Sequence, residues 1–373
     1  MHLSELKLRL FRNLGVQELS FPEEGVAIVG PNAQGKSNLL EAIYYLEIFR
    51  SFRGSKLQNL VAFGEDFFRV EGFIESKEGE QLATNIAAAY ETSGRRRKIT
   101  INAREPKRVG DAIGHLGAVV FSPADVRIIE GGPSVRRRYM DVILSLNREG
   151  YLESLQTYKH VLAQRNSALR SGADMSVVQV WDDSLAKSAS RIMMERAGWV
   201  AERQTDFSRY YEEVSAEDSA SITYVSKINI EDWSQEGIYT QCLVALQESR
   251  DRDYLRKSTT RGPHLDELWM SLEGDKTLGE LRELGSGGQR RTAALALRLI
   301  ESDTIRDSRG LQPILLLDDA FAELDDGRRE RVVLLMDQGR FGQAIMTAPK
   351  ESDVYIHGDR IEQWGIKDGR IQA

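Results

Sequence analysis

The N-terminal third of the chain alternates hydrophobic and polar residues in the manner of β-strands. In the first ten residues Leu6, Leu8 and Leu10 alternate with Lys7 and Arg9, and a period of two residues is typical of a half-buried strand. Similar segments predict further strands at residues 67–76, 82–91, 93–102 (a turn and then a strand) and 117–123. The chain is therefore expected to begin with a strand-rich region.

The hydrophobic period becomes helical after residue 132. Pro133 suits a first helical position, and apolar residues then recur at helical spacing to about residue 215. Strand alternation returns at residues 221–230, a helix is predicted at residues 232–249, and glycines with short strands follow. The pattern predicts an α/β unit built from residues 1–125 and 256–373, interrupted by a mainly helical insertion of residues 126–255.

The composition is that of a globular protein. Its 41% hydrophobic and 29% charged content is ordinary for soluble domains, and no apolar run has the length of a membrane span or the form of a secretion signal. The one cysteine, Cys242, excludes intrachain disulfides and thiolate metal clusters and favours a reducing cytoplasm. The net charge of −7 does not point to nucleic acid, although local basic clusters could still bind phosphates.

The segment VAIVGPNAQGKSNLLEAIYYL, residues 26–46, carries a phosphate-binding pattern. Residues 30–37, here called the phosphate loop, have the form G-x-x-x-x-G-K-S, in which backbone N–H groups surround phosphate oxygens. A short apolar run before the loop predicts a strand, and the residues after it predict a helix, which is the context that the pattern needs. A purely structural strand–turn–helix connection is the alternative.

Each position of the phosphate loop has a predicted task. Gly30 and Gly35 leave backbone amides accessible, and the helix N-terminus adds partial positive charge. Lys36 would reach the β- and γ-phosphates, and the hydroxyl of Ser37 would bind Mg²⁺. The sequence therefore predicts a nucleotide site.

A second segment, PILLLDDAFAELDDGRRE, supplies the acidic groups that an ATPase requires. Its apolar run predicts a buried strand with an acidic pair, Asp318 and Asp319, at the carboxyl end, where ligands collect on an open parallel sheet. Asp318 would bind Mg²⁺ directly or through water, and Asp319 would orient the attacking water. The alternative is an acidic pair that caps the following helix.

A third segment, ELGSGGQRRTAALALRLIES, contains a second loop suited to an anion. Ser286 can cap the helix that follows, and Gly287 and Gly288 leave N–H groups free. Two such loops in one chain are explained if this signature loop, Ser286 to Gln289, binds the γ-phosphate held by another copy. The order of motifs is similar to that of ABC ATPases, and residues 323–326, ELDD, resemble the loop that crosses the dimer interface in that class.

Over essentially its whole length the chain resembles the RecF family of bacterial recombinational repair proteins, which are SMC-like ABC ATPases without a long coiled coil. The segments that carry the resemblance are FRNL, GPNAQGKSNLLEAIYYL, SFRGSKLQNL, FSPADVRIIEGGPSVRRRYMD, YLESLQTYKHVLAQRNSAL, RGPHLDEL, SGGQRRTAALALRL and LLLDDAFAELD. The patterns GxPxxRRRxxD and YxxxLxQRNxxL are typical of this family rather than of ABC proteins in general. The resemblance implies an α/β fold, an ABC-type ATPase head with mixed sheets, a P-loop core and an inserted helical arm.

The resemblance also assigns residues to the site. The nucleotide-binding set would be Arg12, Asn13, Gly30, Pro31, Asn32, Ala33, Gln34, Gly35, Lys36, Ser37 and Asn38. The contacts to the γ-phosphate of a second copy would be Ser286, Gly287, Gly288 and Gln289. The Mg²⁺ ligands would be Ser37 and Asp318, and the catalytic residues Lys36 and Asp319.

Three positions depart from the expected pattern. Asp319 stands where most ABC ATPases have glutamate, and its shorter side chain implies slow hydrolysis. Thr347 stands about where a switch histidine usually follows its strand. Leu265 replaces a common arginine in RGPHLDEL, in which His264 and Asp266 could be switch-loop residues near the nucleotide or parts of a locally satisfied turn.

The function implied by the resemblance is that of an ATP-gated, DNA-binding switch. Members of this family bind ATP, dimerise on it, bind duplex DNA near single-strand gaps and junctions, and with RecO and RecR help to load RecA in repair, replication and the SOS response. A slow, DNA-dependent ATPase with Mg²⁺ would open the homodimer that ATP binding closes. The expected location is the bacterial cytoplasm, in association with the nucleoid and without a membrane partner.

Clusters of basic residues are the candidates for DNA contact. The first is Arg95, Arg96, Arg97 and Lys98, and the others are Arg50, Arg53 and Lys56, and Arg136, Arg137 and Arg138. The first cluster is expected at a hairpin tip and to contact phosphates, because no aromatic residues are interleaved with it. Consecutive helical residues point about 100° apart, so at least one residue of the last cluster is expected to pair internally. For each cluster a solvated surface or an internal salt bridge is the alternative.

Three other functions share some of these features. An ABC transport ATPase subunit has the same motifs but is usually shorter and carries a switch histidine. An SMC-type chromosome-organising head would need long heptad repeats in the insertion, and the sequence lacks sustained a/d periodicity. A scaffold with a vestigial site is disfavoured by the intact phosphate loop, acidic pair and signature loop.

Overall fold

The computed structural model describes residues 1–75, 83–216, 218–273, 279–321, 324–337, 341–354 and 361–372 of the chain. A few predicted positions lie outside these ranges, namely residues 76 and 82 at the ends of two predicted strands, and residues 322 and 323 in and before the ELDD segment. No described helix is long and apolar enough to cross a membrane.

The strands of the described residues form three sheets. In chain order they are β1 (His2–Arg9), β2 (Gln17–Ser20), β3 (Gly25–Val29), β4 (Phe67–Glu75), β5 (Thr84–Glu91), β6 (Arg96–Ile101), β7 (Ala118–Phe121), β8 (Ser219–Val225), β9 (Glu267–Glu273), β10 (Gly279–Glu280), β11 (Ile314–Asp318), β12 (Ala344–Ala348), β13 (Glu362–Lys367) and β14 (Arg370–Gln372).

The α-helices concentrate in the middle of the chain, where the helical period was found. They are α1 (Lys36–Ile48), α2 (Val126–Glu130), α3 (Pro133–Asn147), α4 (Tyr151–Ser171), α5 (Met175–Gln179), α6 (Asp182–Ser215), α7 (Gln235–Glu248), α8 (Arg250–Arg256), α9 (Leu281–Leu284), α10 (Gly287–Arg309) and α11 (Asp326–Asp337).

The chain folds as two compact units. One joins residues 1–125 to residues 301–373, and the other is residues 126–300. The helical unit thus extends to residue 300, whereas the predicted insertion ends at residue 255. The reason is that β9 pairs antiparallel with β8 along its whole length, which ties the residues after 255 to the helical segment.

The first unit is built around a six-stranded sheet with the order β14-β13-β3-β12-β11-β7. The strands from β13 to β7 are parallel, and β3 lies between β12 and β13, so its apolar residues Val26 to Ile28 are fully buried. Parallel strands place their carboxyl ends at one edge. Val29, Asp318 and Ala348, which end β3, β11 and β12, therefore lie side by side.

A second, antiparallel sheet of the same unit has the order β2-β1-β4-β5-β6. Helix α1 belongs to the same buried cluster as both sheets, which contains Leu6 of β1, Ile43 of α1 and Ile28 of β3. Ten of the 13 residues of α1 are buried, as is typical of a helix enclosed by other elements. The start of α1 is consequently fixed at the end of the phosphate loop.

The second unit combines helices with a small sheet of order β10-β9-β8. Its longest helix, α6, has 34 residues. Arg165 is fully buried and forms ion pairs with Asp182 at 2.9 Å and Asp253 at 2.7 Å. Buried charges of this kind are tolerated because they are paired and hydrogen-bonded.

Candidate nucleotide site

The backbone of the phosphate loop has a shape that requires glycine where it joins α1. Gly35 has φ +112°, a conformation that residues with a side chain rarely adopt. A Cβ atom at this position would lie 2.7 Å from Oδ1 of Asn13. The tight turn lets α1 begin at Lys36, so that the first amides of the helix lie at the end of the loop.

The side chain of Lys36 is folded back over the loop. Its Nζ donates hydrogen bonds to the carbonyl oxygens of Gly30 at 2.7 Å and Pro31 at 3.2 Å, and lies 3.5 Å from Oδ1 of Asn32. The residue is 4% exposed. A buried ammonium group therefore stands among the backbone groups that would surround a phosphate.

Residues distant in sequence hold the loop in place. Nδ2 of Asn13 donates to the carbonyl oxygen of Gln34 at 3.0 Å, and Nδ2 of Asn38 donates to Oδ1 of Asn13 at 2.8 Å. The turn between β13 and β14 supplies two further donors to Gln34: the amide of Gly369 bonds its carbonyl at 3.0 Å, and the amide of Asp368 bonds its Oε1 at 2.6 Å. The loop is thus fixed from both ends of the chain.

The acidic pair lies at the carboxyl end of β11, beside Thr347 of β12. The amide of Asp319 donates to Oγ1 of Thr347 at 2.9 Å, and the threonine hydroxyl lies 3.4 Å from Oδ1 of Asp318 and 3.3 Å from Oδ1 of Asp319. Asp319 has φ +46°, a left-handed conformation that is uncommon outside glycine. The hydroxyl of Thr347 thus lies within hydrogen-bonding distance of both carboxylates.

The oxygens at this edge fit a magnesium ion. The carboxylate of Asp318 is buried and lies near the hydroxyl of Ser37. Burial raises the pKa of Asp318, opposed by the Ser37 hydrogen bond and by the charge of Arg53. Mg²⁺ prefers hard oxygen ligands and takes few from protein, the rest being water and phosphate. A carboxylate and a hydroxyl beside a phosphate loop match that donor set.

Arg53 borders this site, whereas the sequence offered it only in a candidate cluster for DNA, with an internal salt bridge as the alternative. Its Nη1 donates to Oδ1 of Asn38 at 3.1 Å, and its Nη2 lies 3.7 Å from Oδ2 of Asp318. The side chain is 37% exposed, so it can also face a ligand. The sequence did contain a signal for this placement. A glutamate, Glu41, within the apolar helix α1 requires polar partners nearby, and one of them is Ser51, which lies in the same turn as Arg53.

Two neighbouring cavities are lined by these groups. The first, of about 290 Å³, is bounded by residues that include Lys36, Ser37, Asn38, Arg53 and Asp319. The second, of about 440 Å³, is bounded by residues that include Arg12, Asn13, Asn38, Val61 and Phe63. Asn38 borders both cavities, so a ligand with a charged end and a flatter, less polar end could occupy both.

The signature loop belongs to the other unit and has a reciprocal capping arrangement. Oγ of Ser286 accepts from the amide of Gln289 at 3.2 Å, while Oε1 of Gln289 accepts from the amide of Ser286 at 2.8 Å. This capping box begins α10 at Gly287. Nε2 of Gln289 also donates to Oδ2 of Asp218 at 3.0 Å, and Ser286 and Gly287 are exposed.

The basic residues expected at a hairpin tip lie mostly in a strand. Arg95 is in the turn, whereas Arg96, Arg97 and Lys98 belong to β6, the edge strand of the antiparallel sheet. All four are exposed, and Lys98 pairs with Glu105 at 3.1 Å. Because side chains alternate along a strand, Arg96 and Lys98 point to one face and Arg97 to the other.

The arginines after Pro133 include an internal pair, as the helical spacing predicts. Arg136 is 1% exposed, and its Nε and Nη2 donate to both oxygens of Glu267 at 2.7 and 2.9 Å. Arg137 is half-buried and donates to the carbonyl oxygen of Asp266 at 2.8 Å. Arg138 is exposed. At most one side chain of this cluster is therefore fully available to DNA.

His264 and Asp266 lie in the helical unit and are hydrogen-bonded to other residues of that unit. Nδ1 of His264 is 2.6 Å from the hydroxyl of Tyr158. Asp266 accepts hydrogen bonds from the hydroxyl of Tyr224 and the amide of Lys227. Burial lowers the pKa of His264 and raises the pKa of Asp266. These contacts engage both side chains within their own unit, through partners distant in sequence rather than through a locally satisfied turn.

Comparison with known proteins identifies close relatives over the whole chain. The sequence matches the family model described as RecF/RecN/SMC N terminal domain over residues 2–363. The "DNA replication and repair protein RecF" of Caldanaerobacter subterraneus subsp. tengcongensis is 35% identical over 359 residues, which cover 95% of this chain and 96% of the relative. The protein of the same name from Streptococcus pneumoniae strain P1031 is 31% identical over 376 residues, covering 100% and 99%.

Solved structures share the architecture. The recombination mediator protein RecF-ATP in the RecFOR pathway has a TM-score of 0.88 at 34% identity, with 100% of this chain and 98% of that chain covered. The RecF-ATPrS form has a TM-score of 0.89 at 34% identity, covering 100% and 97%. An Smc head bound to the C-winged helix domain of ScpA has a TM-score of 0.58 at 17% identity, covering 100% and 96%, a likeness of fold alone.

These matches confirm two of the predictions. The fold is that of an ABC-type ATPase head as found in RecF and SMC proteins. The family model, the full-length relatives and the solved structures agree with the motifs read from the sequence. The chain belongs to the RecF family.

Proposed function

We propose that the chain is an ATP-gated, DNA-binding protein of recombinational repair and replication, with slow ATP hydrolysis as its switch. The observation that carries the proposal is the juxtaposition of buried Lys36 with the phosphate loop and the acidic pair. Relatives that share this whole chain are named DNA replication and repair proteins, and one is described with ATP.

The triphosphate occupies the cavity bordered by Lys36 and Arg53. Amides at the start of α1 and the ammonium group of Lys36 neutralise the β- and γ-phosphates. The base and sugar extend into the adjoining cavity beside Arg12 and Asn13, which are placed there by the β1–β2 connection. This assigns the nucleotide-binding role to the residues expected from the sequence and adds Arg53 to them.

Mg²⁺ would be held by Ser37 and Asp318 and would supply charge neutralisation at the phosphates. Asp319 orients the attacking water, because its backbone conformation and its bond to Thr347 fix the carboxylate at the cavity wall. Aspartate reaches less far than glutamate, which makes hydrolysis slow. ATP binding and ATP hydrolysis are then separable events.

The signature loop completes the site in trans. Its capping box leaves exposed backbone N–H groups at the start of α10, and such groups bind anions. When two copies meet, Ser286 to Gln289 of each contacts the γ-phosphate held by the other, so that closure requires triphosphate. The homodimer then binds duplex DNA, with the residue 95–98 cluster as one contact to phosphates.

The cellular role proposed for this switch follows that of its relatives. The RecFOR pathway named for the solved relatives makes RecO and RecR the expected partners. DNA near single-strand gaps and junctions is the expected target, and RecA loading in the bacterial nucleoid is the expected outcome. An ATP-dependent dimer is suited to this task because it can mark a DNA site and leave it after hydrolysis.

The experiment that tests the proposal is solution mass by light scattering, with and without ATP and Mg²⁺. Wild type and Asp319→Asn are expected to dimerise with ATP, whereas Lys36→Met and Ser286→Arg are expected to remain monomeric. Each sample is also titrated with duplex DNA, which the ATP-bound dimer should bind more tightly than the monomer. A mass that is indifferent to ATP in wild type would exclude the shared-site mechanism.

A further inference from the structure

Helix α1 contains a carboxylate that the proposed chemistry does not use. Glu41 lies in the second turn after the phosphate loop and is 0% exposed, among the apolar residues Leu39, Leu40 and Ile43. A buried charge in such surroundings is costly unless it is paired and hydrogen-bonded. Its partners therefore indicate why the charge is there.

The first partner of Glu41 is Arg12. Nε of Arg12 donates to Oε2 of Glu41 at 2.9 Å, and Nη2 donates to Oε1 at 3.1 Å. This two-point contact fixes both the position and the plane of the guanidinium group. Arg12 sits in a left-handed turn with φ +57° and borders the larger of the two cavities.

The second partner is Ser51, whose hydroxyl donates to Oε1 of Glu41. Oγ of Ser51 in turn accepts from the amides of Arg53 and Ser55, each at 3.1 Å. The hydroxyl of Ser55 accepts from Nη2 of Arg12 at 2.7 Å, which closes the network. Glu41 thus sets the backbone of the turn from which Arg53 extends towards Asn38 and Asp318.

We propose that Glu41 is a positioning residue that holds Arg12 and Arg53 on two sides of the bound nucleotide. The inference rests on the proposed function, since it requires ATP in the two cavities. Arg12 and Arg53 come from different segments of the chain. They strengthen the binding of an anionic ligand most when their charges are already oriented before the ligand arrives. Glu41 supplies that orientation from its buried position in α1, without touching the ligand.

The chain provides a matched control on the same helix. Glu47 is also 0% exposed and also contacts an arginine, Nη1 of Arg309 at 3.4 Å. It accepts from the amides of Leu116 at 2.8 Å and Gly117 at 3.0 Å, which lie before β7. The two glutamates therefore share burial, helix and charge, but Glu47 is bonded to neither Arg12 nor the turn at residues 51–55.

The test compares Glu41→Gln with Glu47→Gln by equilibrium titration of a fluorescent ATP analogue and by thermal unfolding. Both substitutions are expected to lower the melting temperature. Glu41→Gln is expected to weaken ATP binding by about tenfold to a hundredfold, as when a residue that orients a ligand-binding group is lost. Glu47→Gln should leave the Kd for ATP within about twofold of wild type, because nothing it holds faces the ligand.

A double-mutant cycle distinguishes positioning from general destabilisation. If Glu41 acts through Arg12, Glu41→Gln costs much less affinity in an Arg12→Ala background than in wild type. Ser51→Ala removes the hydroxyl that links Glu41 to the amides of Arg53 and Ser55 but leaves the contact of Glu41 with Arg12. It is therefore expected to weaken ATP binding by a smaller factor. It remains informative even if Glu41→Gln does not fold.

Three results would overturn the inference: equal Kd values for the two glutamate variants, an additive cycle, or a Ser51→Ala variant that binds like wild type. The wild-type titration is made first and separates this inference from the proposed function. A wild type that does not bind ATP would refute the proposed function. A wild type that binds, with Glu41→Gln unaffected, would refute only the role of Glu41.

Discussion

The phosphate loop and the signature loop both contain glycine and both start a helix, but they are held in different ways. The phosphate loop is fixed by Asn13, by Asn38 and by the turn at Asp368 and Gly369. The signature loop is fixed mainly by its own capping box, with Gln289 bonded to Asp218. A loop fixed from several segments is preorganised for its own ligand, whereas an exposed capped helix end can meet a ligand carried by another molecule.

The largest difference between the loops should appear in ATP affinity of the monomer. Lys36→Ala removes a buried charged donor, a change that typically costs about 2–5 kcal/mol, so affinity should fall by roughly thirtyfold or more. Ser286→Ala, at an exposed position, should leave the monomer affinity unchanged. Isothermal titration at protein concentrations below dimerisation measures both. A similar loss in Ser286→Ala would mean that the signature loop already acts within its own chain.

Mixing two inactive variants sharpens the comparison further. Lys36→Met keeps its signature loop and Ser286→Arg keeps its phosphate loop, so a mixed dimer contains one intact composite site. We expect neither variant alone to hydrolyse ATP. The equimolar mixture should do so at no more than about half of the wild-type rate, because the only dimers that form are mixed and one of their two sites is intact. No recovery in the mixture would contradict the trans arrangement, with wild type at equal total concentration as the control.

The same substitution should have opposite effects on stability in the two loops. Gly35→Ala places a side chain at φ +112° and 2.7 Å from Oδ1 of Asn13, and such strain costs about 1–3 kcal/mol. Gly287→Ala meets nothing within 4 Å at the start of a helix, and should change stability by less than about 1 kcal/mol in the favourable direction. Urea unfolding followed by circular dichroism measures both. Equal destabilisation would show that the signature loop is as constrained as the phosphate loop.

The smallest effect is expected where the signature loop is tied to its own unit. Asp218→Ala removes the 3.0 Å bond from Nε2 of Gln289, and a single hydrogen bond of this kind is worth about 0.5–1.5 kcal/mol. The ATP-dependent dimer should weaken by roughly two- to tenfold, while monomer affinity for ATP stays the same. Sedimentation across a concentration series measures the dimer constant. A change in the monomer's affinity for ATP instead would show that Asp218 acts on the nucleotide site of its own chain rather than on the dimer contact.

Local patterns in the sequence were sufficient for the elements that carry the motifs. The strand predicted at Val26 to Val29 is β3, and the helix expected after the phosphate loop is α1. Both predictions rest on short-range periodicity and on the chemistry of glycine, which need no knowledge of the rest of the fold. The same holds for the strand before the acidic pair, found as β11.

Contacts between segments that are distant in sequence could not be predicted from those patterns. The amide of Asp368 reaches Gln34 across 334 residues, and neither residue type signals the other. From the sequence Arg53 is a candidate for DNA contact or for an internal salt bridge, and the choice stays open because a basic side chain in a loop has no period that reveals its partners. Residues after 255 join the helical unit through pairing of β8 with β9, which a strand pattern alone cannot assign to a particular sheet.

Because β3 lies between β12 and β13 in the sheet, it can complete its pairing only after the C-terminal part of the chain has been synthesised. While the chain is being synthesised, β3 and the phosphate loop emerge early, yet Asp368, one of the residues that bond Gln34, arrives 334 residues later. At about 5–20 residues per second, that delay is roughly twenty seconds to a minute. Residues 126–300 are contiguous and can fold on the ribosome during that wait. The phosphate loop, although translated early, is therefore among the last segments to be fixed in place, and under the proposed function a nascent chain stalled before β12 is not expected to bind ATP.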